Sequence, residues 1–99
     1  MLDRHVRVVA RIIAQPDAID EVRSVLIDLI EPTRQESGCV AYEVLQADDR
    51  PAQFVVLEIW ATRTDFQQHM ESDHFNRAAD RLAKVVAETP SILSYTDIS

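Results

Sequence analysis

The sequence is poor in the residues that carry the commonest cofactor chemistry. Among 99 residues it has one glycine, Gly38, and one cysteine, Cys39. A single glycine leaves no glycine-rich loop to cradle a phosphate. A single cysteine excludes an intrachain disulfide and any cysteine-rich metal spacing, and it fits a reducing compartment. No HExxH pattern is present either. No apolar run reaches the ~18 residues that cross a bilayer, and Met1 to His5 lacks the apolar core of a signal peptide. A cytoplasmic protein with no membrane partner is expected. Basic residues are also scarce, 10 Lys and Arg against 17 Asp and Glu, for a formal net charge of −7. That field repels nucleic acid and anionic lipid, and no basic stripe overrides it.

What is present suits one small globular domain covering residues 1–99. A chain this short buries a modest fraction of its surface, so pairing with a second copy would help it. The elements alternate between two periods. His5 to Ala14 has strand period, with Val6, Val8, Ala10 and Ile12 on one side. Gln15-Pro16-Asp17 breaks it, and Asp17 is placed to cap a helix over about Ala18 to Glu36. Ile19, Val22, Leu26, Leu29, Ile30 and Thr33 form that helix's apolar stripe. Gly38 falls where a helix end turns left-handed. Cys39 to Ala47 and Gln53 to Ala61 read as strands around an Asp48-Asp49-Arg50-Pro51 turn. Thr62 with Asp65 caps a short helix to Met70, Ser72 caps another over about Asp73 to Ala87, and Ser91 to Ile98 is a last strand. The order β-α-β-β-α-β predicts an α+β, ferredoxin-like fold with an antiparallel sheet.

In the third strand Val55, Leu57 and Ile59 are expected to face the helices, and Phe54, Val56, Glu58 and Trp60 the other way. That second face is too apolar for water, so a homodimer is expected to cover it. Trp60 then stacks a substrate or fills the dimer interface. Glu58 orients a ligand or pairs with an arginine, such as Arg7 or Arg11 or one across the dimer. Phe66, His69, His74 and Phe75 follow within fifteen residues, giving a pocket wall with aromatic rings, a carboxylate and two imidazoles. Histidine is the natural general base near neutral pH, and either His69 or His74 could serve. As a metal pair they are poorly spaced. Five residues on a continuous helix separate them by about 140°; a break at Ser72 could bring them together, but no metal is expected. Tyr42 is a further hydrogen-bond donor for a ligand or a core residue.

The run Glu58-Ile59-Trp60, then Phe66, His69 and His74-Phe75, resembles the antibiotic biosynthesis monooxygenase family. Gly38-Cys39-Val40-Ala41-Tyr42-Glu43 resembles that family's entry to its second strand. The resemblance implies a dimeric α+β barrel. It also implies oxygenation of quinols or polyketide-like aromatics with molecular oxygen, without flavin, haem or metal. His69, His74 and Glu58 would be the catalytic set, with Trp60, Phe66, Phe75 and Tyr42 holding the substrate. Haem-degrading relatives use an asparagine on the first strand and a histidine on the last helix. Here the only asparagine is Asn76, and that helix carries Ala78 and Ala79. A non-redox isomerase or lyase using the same base, or a dimeric ligand-binding protein without turnover, are the competing readings.

Overall fold

Among the described residues, 5–99, the elements follow the expected order, with the second helical segment in two pieces. They are β1 (Val6–Ile13), α1 (Ile19–Arg34), β2 (Cys39–Gln46), β3 (Gln53–Trp60), α2 (Arg63–Met70), α3 (Asp73–Ala83) and β4 (Ser91–Tyr95). They come from a computed structural model; the reading of Met1 to Arg4 as leaderless lies outside the described residues. The strand order is β2-β3-β1-β4, and each neighbouring pair is antiparallel. This is the α+β ferredoxin-like arrangement.

The caps around the break between α2 and α3 form as their sequence suggests. Thr62 Oγ1 accepts from the Asp65 N–H at 3.1 Å, and Ser72 Oγ accepts from the Phe75 N–H at 3.2 Å. Three local expectations are corrected. Asp17 does not cap α1; Ala18 holds that position without a side-chain bond, and Asp20 and Glu21 supply negative charge to the first turn instead. α3 stops at Ala83, because Val85 and Val86 leave the helix for the sheet margin. There the Gln15 N–H donates to the Val85 carbonyl at 2.9 Å, and the Ala87 N–H to that of Ile13 at 2.7 Å. Gly38 is not left-handed. A glycine is needed there because the Asp65 side chain lies where a Cβ would go.

The larger correction concerns β3. Phe54, Val56, Glu58 and Trp60 point inward under the helices, and Val55, Leu57 and Ile59 face the other side, half-buried. In the antiparallel register Ile12 lies opposite Phe54, Ala10 opposite Val56 and Val8 opposite Glu58. This inner surface packs against Val22, Val25, Leu26 and Leu29 of α1. Both faces of β3 are apolar, so alternation alone does not choose between them. The two largest rings, Phe54 and Trp60, have the most area to bury and take the inside, at about 1.5–3 kcal/mol for a large side chain. Among the described residues no helix covers the outer face. It carries Val9, Val55, Leu57 and Ile59, with Leu45, Leu93 and Tyr95 exposed beside them.

Gly38→Ala is expected to cost roughly 1–3 kcal/mol through overpacking. The same change in an Asp65→Gly background should cost clearly less. Urea denaturation of the four-member cycle tests this, and strict additivity would remove Asp65 as the reason for the glycine.

Candidate functional site

A cavity of about 230 Å³ lies between the inner face of the sheet and helices α1 and α3. Its space comes from small residues, Ala10 on β1 and Ala78, Ala79 and Ala83 on α3. Its walls are apolar, including Ile12, Leu26, Val56 and Leu82, and three polar side chains interrupt them: Tyr42, Glu58 and His69. The volume falls below the ~300–1,000 Å³ of drug-sized sites, so the cavity suits a compact ring compound.

His69 lies in the last turn of α2 and is 1% exposed. Its ring tilts over Trp60, with centroids 4.7 Å apart and planes at 31°, and meets Phe75 edge-on at 5.2 Å. Tyr42 is a more distant edge contact at 6.2 Å. One ring nitrogen, Nδ1, lies 2.6 Å from Glu36 Oε2. His74, in the first turn of α3, brings Nε2 to 2.7 Å from the same oxygen. On a continuous helix these imidazoles would diverge. The chain turns between α2 and α3 because the Ser72 backbone and hydroxyl both donate to the His69 carbonyl, at 3.1 and 2.7 Å. The turn swings both rings onto Glu36.

Glu36 sits in the loop after α1, held by its own main chain. Its N–H donates to the Thr33 carbonyl and its carbonyl accepts from Cys39, each at 3.0 Å. Arg34 fastens the same corner to β2 by donating from Nη2 and Nε to the Tyr42 carbonyl at 2.8 and 3.2 Å. Glu36, His69 and His74 form a set that could in principle hold a metal, their ligand atoms lying within 4.8 Å of one another. The 2.6 and 2.7 Å contacts are hydrogen bonds; tetrahedral metal bonds of about 2.0–2.2 Å would need these atoms to open to roughly 3.3–3.6 Å.

Glu36 is half-buried, whereas Glu58 is buried. Its Oε1 accepts from the Trp60 indole N–H at 2.9 Å. Among the described residues it makes no ion pair with Arg7 or Arg11, which approach Asp97 at 4.0 Å and Glu88 at 3.6 Å respectively. Burial pushes the Glu58 carboxyl up to about 7; the Trp60 bond opposes the rise and the Glu36 charge adds to it. Burial holds His69 below its ordinary value, against the bond and charge of Glu36, and His74 lowers it further. The Tyr42 phenol is raised, first by burial and then by the Glu58 charge.

The structure therefore sorts the sequence candidates. His69, Glu58, Tyr42 and Phe75 line the cavity. Trp60 does not; it lies beneath, fully buried, stacking His69 and orienting Glu58. Phe66 packs beside Val6, Val8 and Trp60, away from the cavity. His74 borders a separate surface groove between α1 and α3. Sequence reading missed Glu36, 33 residues before His69. The available signal was a pair of histidines flanking a helix break, which need an acceptor.

An antiparallel sheet roofed by helices over a small apolar cavity with a carboxyl, a phenol and an imidazole makes this an α+β ferredoxin-like protein. Residues 5–81 match the family described as antibiotic biosynthesis monooxygenase, and the chain belongs to that family. Among its relatives, Rv0793 of Mycobacterium tuberculosis is 34% identical over 70 residues, which cover 71% of this chain and 68% of that protein. The solved structure of Rv0793 superposes with a TM-score of 0.90 at 25% identity over 96% of each chain. A crystal structure of an antibiotic biosynthesis monooxygenase gives 0.89 at 28% identity, covering 95% of this chain and 99% of that one. Protein sll1783 of Synechocystis is 25% identical over 93 residues; the match takes in 94% of this chain but 63% of that longer protein.

The two perturbed groups pull stability in opposite directions with pH. The raised Glu58 makes the folded state the tighter proton binder between about pH 4.5 and 7, so its contribution is present in acid and lost as pH rises through 7. The depressed His69 makes the unfolded chain the better binder below its ordinary value of about 6.5, so its contribution grows as pH rises to there. Glu58→Gln removes only the first. From pH 5 to 8 the variant should gain on the wild type by on the order of 1–3 kcal/mol in urea denaturation. A pH-independent difference would mean that Glu58 titrates normally.

Proposed function

We propose that the protein is a cofactor-independent monooxygenase of a small quinol-like or polyketide-like aromatic, acting as a cytoplasmic homodimer. The observation that carries this reading is a buried imidazole, His69, on the wall of an apolar cavity that also holds a buried carboxyl. Triplet oxygen reacts slowly with closed-shell organic molecules, but an electron-rich phenolate can reduce it by one electron. The protein must then supply a base and a dry pocket. His69 is the base, since His74 borders the outer groove instead.

The steps balance. His69 takes the hydroxyl proton of the substrate, and the resulting anion passes one electron to oxygen. The radical and superoxide combine at a ring carbon bearing hydrogen, and the peroxide takes up a proton. Loss of water from that carbon leaves a carbonyl. One oxygen atom ends in the quinone and the other in water. Glu58 in its acid form donates to a substrate oxygen, which its raised pKa permits near neutrality. Tyr42 supplies a second donor, and Phe75 an edge for the ring.

The homodimer uses the sheet face opposite to the one expected from sequence. The uncovered surface is that of Val9, Val55, Leu57 and Ile59, flanked by exposed Leu45, Leu93 and Tyr95. A second copy of the same face is the simplest cover. Leu57→Asp should lower the mass by light scattering to that of a monomer while far-UV circular dichroism is kept. Val56→Asp, which buries a charge in the inner core, should unfold the chain. A wild type already monomeric at micromolar concentration would sink the dimer.

Oxygen uptake with a panel of quinols tests the reaction. Turnover should rise with pH along a limb below about 6.5, the ordinary histidine value that His69 undershoots. His69→Ala should lower it about 10²–10⁴-fold, while His74→Ala should have the smaller effect. Conversion of substrate at an undiminished rate without oxygen would favour an isomerase or lyase. Near-normal uptake in His69→Ala would remove the imidazole from the mechanism.

A further inference from the structure

We infer that Glu36 is the positioning residue of this site: its Oε2 accepts from Nδ1–H of His69 and from Nε2–H of His74, and so holds the His69 ring with a bare Nε2 toward the cavity. The geometry fixes each part. His69 Nδ1 and His74 Nε2 reach one carboxylate oxygen at 2.6 and 2.7 Å. A carboxylate has no proton to give, so each imidazole is the donor at that contact. With the Nδ1 proton committed, a neutral His69 keeps its lone pair on Nε2. Glu36 is not among the cavity-lining residues and His69 is, so Nε2 is the nitrogen left to meet a bound molecule. A ring with the opposite tautomer would present an N–H there and could not accept a proton.

Two further features mark Glu36 as built for this place. Its main chain is hydrogen-bonded on both sides, to Thr33 and Cys39. His74 occupies the same oxygen from α3 and restricts the carboxylate's rotation. Trp60 and Phe75 hold the His69 ring plane from below and from the edge. The titratable groups around His69 are thus Glu36 from the loop after α1, Tyr42 from β2, Glu58 from β3 and His74 from α3.

The assignment rests on the cavity being the substrate site, but its central test needs no substrate. Long-range ¹H–¹⁵N spectra of the full chain at pH 7.5 should show His69 protonated on Nδ1 and bare on Nε2. A proton on Nε2 would overturn the inference. In Glu36→Gln the imidazolium loses its neighbouring charge, and the His69 titration midpoint should fall by about 1–3 units. Glu36→Leu, which offers no acceptor, should yield a mixture of tautomers; if it does not fold, the wild type and Glu36→Gln decide. A midpoint and tautomer unchanged in Glu36→Gln would also overturn it. With a quinol found to be turned over, Glu36→Gln should lower kcat by on the order of 10²-fold or more with KM little changed, and move the rising pH limb down with the NMR midpoint. Should no quinol be oxidised, the oxygenase reading fails while the spectra still judge the tautomer.

Discussion

One carboxylate oxygen joins three parts of the chain. Glu36 Oε2 lies where the loop after α1, the end of α2 and the start of α3 meet, and it accepts from a histidine on each of the two later helices. Without that acceptor, His69 would leave a buried N–H with nothing to bond, and an unsatisfied buried polar group costs about 1–3 kcal/mol. The helix break follows from the same constraint. A continuous helix would turn the rings about 140° apart, and the Ser72 turn cancels that divergence. Arg34 secures the corner to the Tyr42 carbonyl, so the loop, the second strand and the histidine pair form one unit.

The buried acid of the site, Glu58, is tied to the same histidine. Glu58 sits on the sheet below the histidine, and Trp60 connects the two by donating its indole N–H to Glu58 while its ring supports His69. Burial pushes the two groups toward neutrality from opposite sides, Glu58 upward and His69 downward. An uncharged base and an uncharged acid can thus share one small apolar cavity near neutral pH, which is how separated pKa values assign acid and base roles. The cavity itself results from alanines on both walls. Larger residues at Ala10 and Ala78 would improve packing and remove the space that a ligand needs.

Much of the fold was legible because it rests on local signals. Period-two runs, a 3.6-period stripe and the Thr62 and Ser72 caps are short-range features, and they gave the element order. The inward face of β3 was not legible, because both of its faces are apolar. Only the pairing with β1 settles it, and pairing is non-local. Gly38 was misread for a related reason. Its constraint is a side chain 27 positions later in the chain, Asp65, rather than its own backbone angle. For the candidate site, the sequence singled out His69, Glu58, Tyr42 and Phe75 but not Glu36, which reads there as one more charge in the Arg34-Gln35-Glu36 stretch of an acidic surface.

The third strand explains why this small chain is apolar on both sides of its sheet. Its inner residues build the cavity, and its outer ones are covered by no helix among the described residues. Stability alone would favour an apolar residue at Glu58, since a buried carboxyl costs free energy that a well-packed side chain of similar size would not. The Trp60 bond offsets only part of that cost, because it engages one oxygen while burial still raises the pKa to about 7. A residue that departs from local folding logic, with incomplete compensation nearby and a cavity in front of it, is what a functional site looks like in an otherwise consistent structure. The same reasoning separates Glu58 from Glu36. Glu36 is satisfied by two donors and acts on its neighbours, whereas Glu58 keeps capacity toward the cavity, where a substrate oxygen can complete its hydrogen bonding.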